Sequence, residues 1–396
     1  MLLTTQSIFA LVPQSKKSLV TESIDPAHVA YISRKLFPRM DRRGPGRYDF
    51  ADVASPALTA LWDGFEASYQ AAPRFEEFWT AELEDVVVHP PFGLVTIGDV
   101  IVRETVRDSA VLAGTFPGLD PQLCRQLLAG RAPRLEVPDF EVGQSLDEPA
   151  FQLGTGLAEN YFNWSLRYLS KVAIFQRVLK QRPGLRLLAP APKQGFIPRS
   201  LEFFRVAQDD VRWLTARTRM RRLTLSAPSA IGRYNLSPML PRALRQHEAV
   251  TQVWREDRAL LYVPRGTVRM RRVVNEPEVI AHLRKRGFRI FDAGAHPIGE
   301  QVRAFKNAAM VIGPHGAALT NIVYCARGTP VIEVVPEGYD QSPTSYRSLS
   351  DMFDLPYAHM VGRENPQGVR RNRCNSDFFI SIPHLDRLID DFMPRR

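Results

Sequence analysis

The segment from Ala259 to Pro336 alternates strand and helix patterns with almost no chain left over, and that rhythm admits few folds. "ALLYVPRG" (259–266), "FRIFDAG" (288–294), "MVIGPHG" (310–316) and "TPVIEVVP" (329–336) read as buried strands, being short apolar runs rich in β-branched residues. Between them lie "NEPEVIAHLRKRG" (275–287), "GEQVRAFKNAA" (299–309) and "AALTNIVYCA", whose apolar spacing is helical. Asn275 is placed to cap the first of these helices and Gly287 to close it. Strands joined by helical crossovers in so short a span predict a parallel sheet covered on both faces, a Rossmann-like α/β domain.

A second alternation precedes it. "VVVHPPFGLVTIGDVIVRETV" (86–106) has β-branched runs broken by proline and glycine, a meander of strands. "NYFNWSLRYLSKVAIFQRVL" (160–179) carries apolar residues at three- and four-residue spacing behind an Asn160 cap and predicts one amphipathic helix. "LRLLAP" (185–190), "RSLEFFRVAQ" and "RRLTLSAP" (221–228) continue as strand, helix and strand. The resulting division is an N-terminal, β-rich extension over 1–85, a Rossmann-like domain over 86–240 and a second over 255–380. "SPMLPRALRQHEAV" (237–250) is the connection, and a C-terminal helix at 383–392 is expected to pack back on the first domain.

The totals narrow the function. A chain of 396 residues, 44% hydrophobic, holds two ordinary domains, and a formal charge of +10 favours anionic partners such as nucleic acid, anionic lipid or phosphorylated small molecules. Cys124, Cys325 and Cys374 are far apart with no CxxC pair, which argues against a disulfide framework or zinc site and for a reducing compartment. No basic n-region precedes the first apolar run and no run approaches a spanning length, so a cytoplasmic protein is expected, at most peripheral to the inner face of a membrane.

The chemistry concentrates at the strand ends. In doubly wound sheets ligands settle at the carboxyl edge, where helix N-termini present unpaired N–H groups. The turn Gly313–Gly316 lies there, and its glycines let a phosphate approach the backbone. His315 could donate to a diphosphate oxygen, with Ala317, Thr320 and Asn321 following on the helix. Glu333 is placed to accept both hydroxyls of a ribose. Arg265 follows a strand directly, and Arg271 and Arg272 precede a helix, so guanidinium forks can reach the same edge, with Arg272 the weakest of the three candidates.

"RGTVRMRRVVNEPEV", "GPHGAALTN" and "PVIEVVPEG", in this order over 259–340, resemble the donor-binding half of the family 61 glycosyltransferases. "NYFNWSLRYLSKV" (160–172) resembles that family more weakly. The resemblance implies the GT-B fold of two Rossmann-like domains facing across a cleft, with 86–240 on the acceptor side. It also implies a nucleotide-sugar donor, usually UDP-linked, and inversion at the anomeric carbon. The product would be a glycan of capsule or lipopolysaccharide type, made by hexosyl or pentosyl transfer. Such enzymes commonly carry Tyr-x-His-Trp with an acid four residues after the histidine, and here those positions hold Asn163 and Arg167. Their replacement by an amide and a cation suggests an acidic or lipid-linked acceptor, and leaves the catalytic base unassigned among Glu159, Asp41, His89 or none.

No D-x-D triplet occurs, so the expectation is an enzyme with no cofactor or metal, in which His315, the arginines and the helix N-terminus stabilise the leaving diphosphate. A non-catalytic sugar-nucleotide or glycan-binding relative is the alternative, because of Asn163 and Arg167. A nucleic-acid-binding protein would account for "RTRMRRL" and "RRNR" but not for the Gly-His-Gly turn, and no helix-turn-helix, zinc or RNP signature accompanies the charge. G-x-S-x-G and H-E-x-x-H, the marks of common hydrolases, are absent.

Overall fold

A computed structural model of the chain describes residues 2–6, 29–36, 48–49, 53–71, 77–106, 109–129, 131, 135–137, 139–154, 158–226, 230–231, 235–236, 239–253, 257–266, 268–339 and 344–393. The chain forms two compact units: Met1–Pro38, Glu76–Gly232 and Arg242–Leu244 in the first, Arg39–Phe75, Arg233–Pro241 and Arg245–Arg396 in the second. The crossing near residue 240 falls within the proline-bearing segment read as the connection. The first 85 residues are not a separate extension, because strands Leu2–Gln6 and Val29–Leu36 join the sheet of the first unit and 39–75 belongs to the second.

The first unit is built on a mixed sheet. Ala150–Gln152 pairs in parallel with Arg186–Pro190 on one side and with Thr218–Ser226 on the other, and Val211–Leu214 extends the first side. Glu77–His89 runs antiparallel to Thr218–Ser226 and turns back through Leu94–Ile97 and Val100–Val102, the expected meander. The crossover after Ala150–Gln152 is not one regular helix. It passes through an α turn (Tyr161–Asn163), a π stretch (Trp164–Tyr168), a 3₁₀ turn (Leu169–Lys171) and an α-helix (Val172–Gln181). Asn160 caps it, its side chain accepting from the Asn163 N–H at 3.2 Å. The wide turn falls where the buried rings of Trp164 and Tyr168 stack at 5.8 Å, a packing that periodicity does not encode.

The second unit holds the parallel sheet. Besides the short Tyr48–Asp49, which pairs in parallel at one edge, its parallel strands in chain order are β1 (Ala259–Tyr262), β2 (Phe288–Ile290), β3 (Ala308–Pro314), β4 (Val331–Pro336) and β5 (Tyr357–Glu364). They lie side by side as β2-β1-β3-β4-β5, the doubly wound order whose direction of travel reverses between β1 and β3. Gly287, at φ +83°, closes the helix Glu276–Lys285 as expected. Asn275 does not cap that helix with its side chain; it instead bridges to Ile380, donating to the carbonyl at 2.9 Å and accepting from the N–H at 3.0 Å.

The C-terminal helix, Ile382–Phe392, differs from expectation too. Leu385, Leu388 and Ile389 pack with Val279, Leu283, Tyr262 and Met310 in the core of the second unit, so it completes that unit. Burying each such aliphatic side chain is worth about 1.5–3 kcal/mol, which ties the chain end to the sheet edge. Helix Pro56–Ala71 sets Trp62 and Leu58 against Val335, Tyr339 and Val361. Among the described residues no helix is long and apolar enough to cross a membrane.

Candidate active site

Arg265 emerges just past β1 and the turn 313–316 begins in the last two residues of β3, so both stand at the place where the strand order reverses. The two are in contact: a Cβ on Gly316 would run into the Arg265 guanidinium. Gly316 itself is extended, at φ −176°, so its lack of a side chain serves this close approach and not a special backbone conformation. Gly313 is tight for another reason, since a Cβ there would lie 3.0 Å from the Val263 carbonyl and from Leu319.

Arg265 is fixed at both ends. Its N–H donates to Glu276 Oε1 at 2.9 Å and its Nη2 to the Met270 carbonyl at 2.8 Å. Arg271, at the unusual φ of +55°, donates from its N–H to the Asn375 carbonyl at 3.1 Å and from Nη1 to Asn375 Oδ1 at 3.0 Å. Among the described residues neither guanidinium meets a carboxylate, and the Nε atoms of both are buried without a partner. Burial, and then the charge of Arg271, lower Arg265 to about 10, so it remains a cation at neutral pH. Glu276 offsets this only in part, and two repelling guanidiniums that pair with no carboxylate among the described residues are suited to an anion.

His315 and Glu333 are joined, but not as two arms around a ligand. His315 Nδ1 is hydrogen-bonded to Glu333 Oε1, and the His315 Nε2 lies 3.0 Å from the Tyr339 hydroxyl. Tyr357 donates to Glu333 Oε2, and His359 Nε2 lies 3.3 Å from the same oxygen. Glu333 is fully buried and both oxygens are taken, so the expected grip on a ribose is corrected to an internal role. Burial by itself would raise its pKa, yet the neighbouring His315 and His359 overcome this and hold the carboxyl down to about 2. Burial lowers His315, which favours a neutral ring donating from Nδ1. The His315 side chain keeps 16% exposure, and Tyr357 too is only half-buried.

Sequence reasoning missed Tyr339, Tyr346, Tyr357, His359 and Trp62. Tyr346 donates to the Gly316 carbonyl at 2.7 Å and steadies the turn from below, while Trp62 packs edge-on against His359 at 4.8 Å. A signal existed for two of them. Tyr357 and His359 alternate on one face of β5, and His359 stands directly across from Glu333.

Other expected residues lie elsewhere. Thr320 and Asn321 are wholly buried, and Asn321 Nδ2 donates to Gln301 Oε1 at 2.8 Å, so these two brace the 3₁₀ helix Ala317–Tyr324 instead of facing a ligand. Ala317 is half-buried beside Gly316. Arg272 turns away into a bidentate pair with Asp377, its Nη2 2.6 Å from Oδ2.

In the first unit Asn163 and Arg167 are both half-buried on the crossover after Ala150–Gln152. Neither of the two described candidate bases, Glu159 and His89, fits the task. Glu159 pairs on the surface with Lys193 at 2.9 Å. His89 is fully buried between Phe116 and Phe140, with Nε2 2.9 Å from Thr96 Oγ1, and burial together with Arg217 lowers it to about 3. Asp41 lies outside the described residues.

Residues 136–332 match the family model described as Glycosyltransferase 61, which supports a glycosyltransferase of family 61. The matched span takes in Arg265, Arg271, His315 and Gly316 and stops one residue before Glu333. No curated protein matches the chain. Among solved structures it is similar to the iron-containing dodecameric glycosyltransferase TibC from enterotoxigenic E. coli H10407. The identity is 14%, the coverage 67% of this chain and 83% of that one, and the TM-score 0.29. That finding overturns the expectation of an enzyme without metal, which is withdrawn. Among the described residues, no group of three or more His, Cys, Asp or Glu is placed to hold a metal ion.

Proposed function

We propose that the protein is an inverting, GT-B-type glycosyltransferase that moves a sugar from a nucleotide-sugar, a UDP-sugar by preference, to a hydroxyl of a glycan. The observation that carries this is the Arg265–Arg271 pair at the edge where β1 and β3 part, its buried Nε atoms without a partner and its guanidiniums paired with no carboxylate among the described residues. A donor's diphosphate supplies the missing negative charge. Arg265 and Arg271 bind its oxygens, Gly316 and Ala317 allow it close to the backbone, and His315 borders it.

In the reaction the acceptor oxygen attacks the anomeric carbon from the face opposite the diphosphate. The bond between that carbon and the phosphate oxygen breaks, and its electron pair leaves with the diphosphate. The two guanidiniums are then worth more than in the ground state, because charge grows on the bridging oxygen as they hold it. Glu333 acts from behind, orienting the His315 ring.

Calorimetry with UDP tests the donor site. Arg265→Ala is expected to weaken binding ten- to a hundredfold, the usual loss of about 1.5–3 kcal/mol for a charge-assisted contact. UDP release from UDP-sugars, absent in a protein that only binds them, separates transfer from mere recognition. Equal UDP affinity in wild type and Arg265→Ala would remove the proposal.

Arg167 supports a narrower reading, an acceptor bearing carboxylate or phosphate of the kind found in capsule and lipopolysaccharide sugars. Arg167→Ala should raise the KM for acidic acceptors and leave UDP affinity unchanged. Equal KM values for acidic and neutral acceptors in both proteins would count against it.

A further inference from the structure

We propose that Asp292, at the carboxyl end of β2, receives the ribose hydroxyls of the donor nucleotide and sets a preference for ribonucleotides. The inference rests on the donor reading above and fills the part that Glu333 leaves open, since both Glu333 oxygens are taken inside the core.

Topology brings this carboxylate to the arginine edge. β2 lies beside β1, and the N–H of Phe291, the first residue past β2, donates to the carbonyl of Tyr262, the last residue of β1, at 2.8 Å. Asp292 leaves the sheet one residue later, next to the segment that carries Arg265. The two segments approach closely, because a Cβ on Gly266 would lie 3.6 Å from Asp292 Oδ2. Gly266 follows Arg265 directly, so their Cα atoms are about 3.8 Å apart. Its φ of +57° is a conformation that glycine adopts without strain. Gly266 and Asp292 are both exposed, so the carboxylate is accessible from solvent beside Arg265. In nucleotide-binding sheets of this kind the phosphates lie against the turn after the first strand, and an acid past the second takes the ribose hydroxyls. Here the two strand ends carry an arginine with an open glycine, and an aspartate.

Asp292 divides its oxygens between the fold and the site. Oδ1 accepts from the Gly294 N–H at 3.1 Å and starts the turn Ala293–Ala295. Oδ2 meets no donor among the described residues and lies on the side of Gly266. A carboxylate oxygen accepts readily from a sugar hydroxyl, and a ribose presents two of them side by side. The loop that carries Asp292 is firmly held. Phe291 is buried and stacks on the His296 ring at 4.5 Å, His296 Nδ1 lies 2.7 Å from Glu300 Oε2, and the His296 carbonyl accepts from Gln301 Nε2 at 2.8 Å. An acceptor fixed before the ligand arrives gives up little freedom on binding.

Charge decides which part of the nucleotide meets this residue. A carboxylate repels phosphate oxygens, so Asp292 cannot share them with Arg265 and Arg271, whereas a neutral diol suits it. The nucleoside then lies toward β2 and the diphosphate over Arg265 and Gly316.

Asp292→Ser keeps an oxygen to cap Gly294 and removes the one beside Gly266. Calorimetry on the full chain with UDP, 2'-deoxy-UDP and inorganic pyrophosphate reads the ribose and the diphosphate separately. The wild type is expected to bind UDP about tenfold more tightly than 2'-deoxy-UDP, the usual worth of one charge-assisted hydrogen bond. In Asp292→Ser that preference should vanish through weaker binding of UDP, while pyrophosphate binds as well as before, which shows that the site is still folded. Arg265→Ala should weaken all three ligands and keep the preference. Equal affinity of the wild type for UDP and 2'-deoxy-UDP overturns the inference, and so does a preference that survives in Asp292→Ser. A wild type that binds pyrophosphate as tightly as UDP overturns the ribose assignment alone. One that binds none of the three strikes the donor reading itself, and the inference falls with it.

Discussion

Gly316→Ala is expected to weaken binding of UDP by ten- to a hundredfold and to leave the stability of the fold almost untouched. The asymmetry follows from what the new methyl would meet. Its neighbour is the far end of the Arg265 side chain, which can swing aside, and not backbone or packed core. Gly316 is extended at φ −176°, so alanine adopts that conformation without strain. The turn also keeps its anchors, the bond from the Tyr346 hydroxyl to the Gly316 carbonyl and the bond from the His315 N–H to the Val334 carbonyl at 2.7 Å. What is lost is the position of a guanidinium, and with it a contact worth about 1.5–3 kcal/mol to a phosphate. Because the substitution acts through Arg265, combining it with Arg265→Ala should cost no more than either change alone. Calorimetry with UDP on the two single variants and the double variant decides this, and full additivity would show that Gly316 and Arg265 act separately.

The sheet edge was legible because parallel strands buried on both faces leave apolar runs, and the turn that ends each run marks the carboxyl side. Arg265, Arg271 and Gly316 could be assigned to one edge on that ground, and Arg265 and Gly316 are in contact there. Side-chain direction was not legible in the same way. Glu333, Thr320 and Asn321 sit at or near the predicted edge yet point into the core, where each position beside a tyrosine or glutamine decides its partner. Spacing within a strand gives the face of a residue, while the partner on that face comes from another strand.

Docking over long sequence distance was the other blind spot. Trp62 reaches His359 and Glu66 binds the buried Arg347, contacts across nearly three hundred residues with no local trace. The C-terminal helix could equally have closed either unit on its amphipathic pattern, and only the match to Val279 and Leu283 fixes it on the second. Lys171 shows the same limit: in a regular helix it reads as part of a polar face, yet on the 3₁₀ turn after the π stretch it is only 5% exposed.

Glu333→Gln is expected to produce the largest loss of stability in the second unit, roughly 3–5 kcal/mol at pH 7, the range found when one member of a buried ionic cluster is removed. The carboxylate has no solvent to fall back on and accepts from His315 and Tyr357, with His359 at 3.3 Å. An amide of the same shape turns one acceptor oxygen into a donor, which then faces a hydroxyl or a ring N–H that also donates. The pH dependence gives an independent check. The Glu333 carboxyl is held down to about 2 in the fold from its ordinary 4.5, so its share of the stability is fully present above 4.5. That share drains away as pH falls from 4.5 to 2, because the unfolded chain takes up the proton first. Burial depresses His315 as well, which adds a loss beginning higher, as pH drops through its ordinary 6.5. Urea denaturation of wild type and Glu333→Gln should therefore show a large gap at pH 7 that narrows steadily below pH 4.5. A gap of the same size at pH 7 and pH 3 would mean that the carboxylate charge contributes nothing, and that Glu333 only fills space behind His315.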